Sequence, residues 1–298
     1  MTHDIRELDD GSVVLHPFDV RSAPVSVPES SMKFNFLVSS FLQVCLACHP
    51  HIVGSKLQTE DGGWSVDPSL DEGPCNIDVL ESSAISYSQF MHRYAYSGPV
   101  IIRGLTDNSE FRQWSSRNRL LKDFGDLRVR LSTANTFSYR KVDVPFREYV
   151  SELLKPQTPD ALGSDTLYFF GDNNYTEWNS LFQLYRKPPY VLPNTSAALS
   201  FGIAGSGTGV PFHWHGPGYS EVVYGRKRWF LYPPDRQPDF HPNSTTLSWL
   251  MHTYPQLPVE HAPLECTIRP GEVLYFPDRW WHATLNLDTS VFISTFLG

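Results

Sequence analysis

The sequence predicts a mainly β domain of jelly-roll or barrel type, preceded by a helical region. Three observations carry this expectation. After Leu199, short apolar and aromatic runs alternate with turns rich in Gly and Pro. Helical apolar stripes fall, with one exception, before that point. The 298 residues, 41% hydrophobic and 14% aromatic, are enough for one large core.

The strands are expected at residues 199–204, 210–215, 220–224, 229–232, 265–268, 273–276 and 290–296, with one helix over 246–254 between them. Many short strands with regular turns mark a closed or two-sheet β architecture. Ahead of them, Ser86 and Gln89 have the spacing of a capping box, and Tyr87, Phe90, Met91 and Tyr94 follow at helical intervals. Gly98-Pro99 stops that helix. Residues 100–102 and 127–131 read as short strands, with a short helix marked by Phe111 and Trp114 between them. Pro145 opens a helix with the stripe Phe146, Tyr149, Val150, Leu153 and Leu154. Trp178, Leu181, Phe182 and Tyr185 mark another. These stripes are core-packing faces.

The N-terminus has a different character. Met32-Lys33 precedes an apolar run that ends in small residues near Ala47, the form of a signal peptide over 32–48. Residues 1–31 then read as an upstream extension with a disordered composition, and Met32 as the natural start. The run is too short and too polar to span a membrane, so no transmembrane span remains after its removal. Residues 49–74, rich in Gly, Asp, Ser and Pro, read as a linker, and the folded domain is expected over 75–298. Sequons at Asn174, Asn194 and Asn243 agree with a secretory route. In an oxidising lumen Cys75 and Cys266 form the natural disulfide pair, because Cys45 and Cys48 lie at the signal. The C-terminus carries no KDEL-type signal. A net charge of −8 argues against a nucleic-acid partner.

The chemistry concentrates in two blocks. In the first, His213 and His215 are two residues apart, so on an extended backbone both project to one face, with Trp214 opposite. Two imidazoles on one face can share a cation. Gly207 precedes them and Glu221 follows on the next strand. In the second block, Gly271, Pro277, His282 and Asn286 keep the spacing of a metal-binding barrel motif, except that Arg279 stands where a glycine is expected. A second His-x-His, His49 and His51, lies in the expected linker and receives no function.

The blocks PFHWHGPGYSEVVYGRKRWFLYPP and RPGEVLYFPDRWWHATLNLD, with the segment YSQFMHRYAYSGPVIIRGL, resemble the jumonji-C family of cupin-type proteins over residues 76–298. The resemblance implies a double-stranded β-helix with a core from about residue 165 to the end. It implies an Fe(II) site held by His213 and His282, with the middle ligand at His215, where the family has a carboxylate. It also implies 2-oxoglutarate as cosubstrate, held by Lys227, with Tyr168 and Thr284 lining its pocket.

The change at His215 leaves three alternatives: iron on three histidines, a carboxylate supplied by Glu221, or a barrel kept as a binding module. The resemblance is to small secretory-pathway members without reader domains. It implies a regulator of signalling, with links to tumour-necrosis-factor-driven NF-κB activation, working through protein partners in the endoplasmic reticulum lumen. Self-association is compatible with the family. The alternative is an active Fe(II)/2-oxoglutarate-dependent protein hydroxylase. Histone demethylation does not fit, since reader domain, zinc-cysteine cluster and nuclear basic tract are all missing from the sequence.

Overall fold

The computed structural model describes residues 60–138 and 140–298. The upstream extension and the signal peptide expected over 1–48 lie outside the described residues, as does the first part of the expected linker. Twelve strands follow in chain order: β1 (Val79–Glu81), β2 (Val100–Arg103), β3 (Arg128–Thr133), β4 (Lys141–Pro145), β5 (Leu167–Phe170), β6 (Ala197–Ala204), β7 (Gly218–Tyr224), β8 (Lys227–Tyr232), β9 (Leu264–Ile268), β10 (Glu272–Phe276), β11 (Trp281–Asn286) and β12 (Ser290–Leu297). Nine form one sheet, in the order β1-β2-β10-β7-β12-β6-β5-β3-β4. The other three form a smaller sheet, β11-β8-β9.

Period-two alternation sorts each strand into an inner and an outer face. On β7, Val222 turns inward, and on β10, Leu274 and Phe276 do. They meet Trp229 and Leu231 of β8 and Ile268 of β9, which closes a core between the sheets. The outward residues of the large sheet, among them Phe201, Ile203, Val291 and Ile293, pack under the N-terminal helical region. The outer face of the small sheet, with Phe230, Ala283 and Leu285, is covered by the helix Thr246–His252 through Leu247 and Trp249.

Local sequence explains the helices. In Tyr87–Arg93 the capping box is made: the Ser86 hydroxyl accepts from Gln89 N–H, and Gln89 Oε1 accepts from Ser86 N–H at 2.8 Å. Phe90, fully buried, anchors that helix on Tyr275 and Tyr219. The helix expected after Pro145 is α-helical only over Phe146–Glu148 and then widens into a π-helical stretch, Tyr149–Leu153. There Tyr149 donates its hydroxyl to Ile203 O at 2.6 Å.

Residues 60–74 correct the expected linker. The segment is polar in composition but packed. Trp64, 4% exposed, inserts into the helical core and donates its indole N–H to Ser115 O at 3.1 Å. Arg226 binds Glu72 at 2.8 Å, Asp67 O at 2.9 Å and Asp288 at 2.7 Å. One aromatic anchor and a charge cluster therefore fix what composition alone reads as loose. Strands β1 to β4, two of them at the expected positions 100–102 and 127–131, join the large sheet.

Cys75 and Cys266 are joined in a disulfide that ties the N-terminal segment to β9. Asn174 and Asn194 are exposed. Asn243 is part-buried, its Nδ2 donating to Ser164 Oγ at 3.2 Å and its Oδ1 accepting from Ser164 N–H at 2.9 Å.

Candidate metal and ligand site

The three histidines arrive from two elements. His282 stands on β11, whose inward residues are His282, Thr284 and Asn286. His213 and His215 lie on the stretch before β7, expected as a strand over 210–215. That stretch is not a strand. It touches β11 through an isolated bridge, with His282 N–H donating to His213 O at 2.8 Å and His213 N–H to His282 O at 3.1 Å. Further bonds run from Thr284 N–H to Val210 O and from Asn286 N–H to Thr208 O. Pro211 has no N–H to extend the ladder. Gly209 allows the close approach, because a Cβ there would lie 1.7 Å from Thr284 O. The alternation still holds locally: Trp214 is 52% exposed, while both histidines turn inward.

Each imidazole is oriented by its own backbone. His213 Nδ1 sits 2.9 Å from Pro211 O, His215 Nδ1 2.8 Å from Gly216 O, and His282 Nδ1 2.9 Å from Trp280 O. A carbonyl oxygen only accepts, so each Nδ1 carries the proton and each Nε2 keeps its lone pair. The ligand atoms of all three lie within 4.8 Å of one another, and His282 Nε2 is 3.1 Å from His215 Nε2. Two lone pairs at that distance repel unless a cation lies between them. Two imidazole nitrogens each about 2.1 Å from one ion, at right angles to each other, stand roughly 3 Å apart. The donor set therefore fits a metal ion. It is also in the protonation state a metal requires. Burial, reinforced by the neighbouring His215 and by Lys227, holds His213 down at about 4. Burial, then the other two imidazoles, holds His282 well below the histidine range, and burial lowers His215.

Glu221 is not brought to this cluster. It occupies an outward position of β7, and Ser220 takes the inward one. The Glu221 carboxylate accepts from Asn108 Nδ2 at 3.0 Å, from Thr106 Oγ1 and from Tyr185 Oη, both at 3.3 Å. The alternative in which Glu221 replaces His215 is thereby corrected: strand parity turns the carboxylate to the opposite side of the sheet.

A small, partly open cavity lies next to the histidines. Lys227, 2% exposed, enters it from β8, directly opposite Asn286 of β11. Its ammonium donates to Tyr168 Oη at 3.0 Å and Asn286 Oδ1 at 3.3 Å, and lies 3.5 Å from the centre of the Phe292 ring. These partners are all neutral, and among the described residues no carboxylate forms a salt bridge with it. Burial pushes the ammonium well below the lysine range. Thr284 lines the same cavity, its Oγ1 accepting from Val210 N–H at 3.3 Å. The structure thus gathers Lys227, Tyr168 and Thr284 beside His213, His215 and His282.

Sequence reasoning gave Asn286 a place in a spacing but no contact. Its Nδ2 donates to Tyr168 Oη and to Thr208 O, which fixes the acceptor that faces Lys227. Ser220 and Trp229 were also passed over. Both line the cavity, and among the described residues the buried Ser220 Oγ and Trp229 Nε1 have no hydrogen-bond partner. Only strand parity could have marked them, once the registers of β7 and β8 were known. Arg279, in the place of the expected glycine, adopts the left-handed conformation that a glycine would take, with φ of 56°, and its N–H donates to His215 O at 2.9 Å.

A family model described as a cupin-like domain matches residues 87–296. The chain is 66% identical over 241 residues to the JmjC domain-containing protein 8 of Homo sapiens, covering 80% of this chain and 90% of that one. It is 64% identical over 244 residues to the protein of the same name in Mus musculus, with the same coverage. Among solved structures, the Escherichia coli ribosomal oxygenase YcfD aligns at 18% identity with a TM-score of 0.45. That alignment covers 71% of this chain and 51% of the other.

Proposed function

The chain belongs to the JmjC family of cupin-like domains, and from that premise we propose that it binds a metal ion and a 2-oxo dicarboxylate as an Fe(II)/2-oxoglutarate-type protein oxygenase of the secretory lumen. The observation that carries this reading is Lys227. Lys227 is buried among neutral partners, where burial alone favours the uncharged amine, and an anion entering the cavity would draw it to the charged form. It lies in the same cavity as three imidazoles whose free Nε2 lone pairs converge. Ser220 Oγ and Trp229 Nε1 are two more donors in that cavity awaiting an acceptor, which suits a ligand rich in carboxylate oxygens.

His213, His215 and His282 would hold the metal through Nε2. Fe(II), when bound, supplies oxygen activation coupled to oxidation of the 2-oxo acid. Lys227 grips the far carboxylate of the ligand in a charge-assisted bond. Tyr168 and Asn286 hold the ammonium in place, while Trp229, Phe276, Phe292 and Phe296 keep water from the cavity. An imidazole in place of a carboxylate at position 215 raises the charge of the metal site by one. The disulfide between Cys75 and Cys266 suits an oxidising compartment, and exposed Asn174 and Asn194 suit glycosylation there.

A second reading rests on His215 itself. Departure from the carboxylate pattern favours a regulator that acts by partner binding, in the NF-κB setting implied by the resemblance, with the cavity holding ligands but not turning them over. The experiment is to strip the protein of metal and add Fe(II) and 2-oxoglutarate without oxygen. A visible charge-transfer band that disappears in His282→Ala and weakens in Lys227→Ala supports the oxygenase site. No band from well-folded protein sinks it. Full cellular activity of a His213→Ala, His282→Ala double variant would then favour the partner-binding reading.

A further inference from the structure

Residues 67–75 lie against the start of β8, the strand that carries Lys227 into the cavity. Lys227 is the first residue of that strand and points inward, so Arg226 and Arg228 on either side of it point away from the cavity. The segment grips both. Arg226 Nη2 donates to Asp67 O at 2.9 Å and Nη1 to Glu72 at 2.8 Å, while Arg228 Nη1 donates to Asp71 O at 3.3 Å. Thr267 Oγ1, on β9, donates to Glu72 O at 2.7 Å. The end of the segment is fixed covalently, since Cys75 is bonded to Cys266, which pairs with Trp229 across β8 and β9.

Asp67 also reaches the other side of Lys227. Its backbone N–H donates to Asp288 Oδ1 at 2.8 Å, on the same carboxylate that takes Arg226 Nε. Its Oδ1 accepts from Ser69 N–H at 2.9 Å, a local turn that sets the path of the segment. Its Oδ2 accepts from the hydroxyl of Ser206, which is fully enclosed. Ser206 leads into Gly207 and Thr208, and these hold Asn286. Gly207 N–H donates to Asn286 O at 2.8 Å, and Asn286 N–H and Nδ2 both donate to Thr208 O, at 2.8 and 3.0 Å. Asn286 Oδ1 then accepts from Lys227 Nζ at 3.3 Å. A half-buried carboxylate outside the cavity thus joins the two elements whose side chains meet inside it.

We infer that Asp67 is a positioning residue for the anion-binding end of the cavity. Through Arg226 it fixes the start of β8, and through Ser206 it fixes Asn286. Together these set where Lys227 Nζ stands when a carboxylate arrives, and a small displacement there weakens the contact steeply. The inference rests on the reading of the cavity as a 2-oxoglutarate site. None of these bonds involves His213, His215 or His282, so metal binding is separable from it.

The test is calorimetric titration of the full chain with Mn(II) alone, and of the Mn(II)-loaded chain with 2-oxoglutarate, for wild type, Asp67→Ala, Asp67→Asn, Ser206→Ala and Asp71→Ala. Melting temperatures verify that each variant folds. Asp67→Ala should lose about tenfold in 2-oxoglutarate affinity while its Mn(II) affinity stays within about twofold. Ser206→Ala cuts the same bond from its other end and should show the same split, so the test survives a misfolded Asp67→Ala. Asp67→Asn keeps an acceptor for Ser206 and should match wild type. So should Asp71→Ala, whose exposed carboxylate accepts from Gly73 N–H in its own turn. A second readout needs no ligand: NMR of isotopically labelled lysine, with the Lys227 signal identified by Lys227→Met. That signal should move in Asp67→Ala and Ser206→Ala and return in Asp67→Asn. An unmoved Lys227 signal, unchanged 2-oxoglutarate affinity in folded Asp67→Ala and Ser206→Ala, or matched losses of metal and ligand affinity overturns the proposal. Wild type that binds no 2-oxoglutarate, with a Lys227 signal that still moves in Asp67→Ala, sinks the oxygenase reading and leaves the role of Asp67 standing.

Discussion

His215 and His282 face each other with their Nε2 atoms 3.1 Å apart, each ring held by a carbonyl bond at Nδ1. The pair is therefore set for a shared ion. Adding Fe(II), Zn(II) or Mn(II) to stripped protein should raise its melting temperature, with about 2.7 kcal/mol gained at a metal concentration one hundred times Kd. His282→Ala and His215→Ala should each weaken binding by roughly two orders of magnitude, at the upper end of what loss of a supporting contact alone does. His215→Asp should keep the metal and strengthen the Fe(II)–2-oxoglutarate band. Calorimetric titration of the four proteins checks this, and equal affinities across them would remove the metal site.

Lys227 should show opposite effects on stability and on binding. Lys227→Met removes a group that burial holds well below the lysine range and that is charged in the unfolded chain, so the ligand-free protein should melt higher than wild type at neutral pH. The same variant should lose 2-oxoglutarate affinity by about two orders of magnitude, as expected for truncating one partner of a buried charge pair. An anionic ligand draws the ammonium back to its charged form. Binding should then take up protons and weaken as pH rises. Titration calorimetry in buffers of different ionisation heat reads that uptake directly.

Glu221 gives a pH dependence with a defined sign. Burial pushes it up to about 7 from an ordinary 4.5, against the lowering effect of its Asn108, Thr106 and Tyr185 bonds. Between those values the unfolded chain holds fewer protons than the folded one, so this group's contribution to stability falls as pH rises through the window, by at most about 3 kcal/mol. The buried histidines act the other way: His213, held at about 4 against 6.5, adds stability as pH rises through that range. Denaturant melts of Glu221→Gln and wild type at pH 5 and pH 7.5 separate the two. The variant should lose the falling component and keep the rising one.

Arg279 occupies a left-handed backbone position that disfavours any residue with a Cβ. Arg279→Gly should stabilise the fold by about 1 kcal/mol without changing metal affinity. Thermal melts with and without metal check both halves. Lower stability would show that the Arg279 side chain contributes more than its backbone strain costs.

Much of the β core was legible because apolar runs such as Val273, Leu274, Tyr275 and Phe276 mark strands whatever their partners. The histidine cluster was legible because parity and motif spacing are local. Three features were not. The stretch at 210–215 has strand composition, yet its pairing depends on Pro211 and on where β11 ends. Residues 60–74 are polar and turn-rich, and a single Trp64, whose pocket is built by distant helices, decides that they pack. The face taken by Glu221 follows from the register of β7 against β10 and β12, which no count along the chain supplies.

One asymmetry in the cluster has a mechanical consequence. His282 sits in β11, which pairs with β8 along its whole length, while His213 and His215 ride on an irregular stretch that meets β11 through one bridge and backbone bonds at Val210 and Thr208. Whatever the three imidazoles grasp together would stiffen that stretch from the inside, and with it the outward-facing Trp214. Occupancy deep in the barrel would thus be legible on the outer surface as a change in pliancy, and a partner resting on Trp214 could sense whether the centre is loaded without ever touching it.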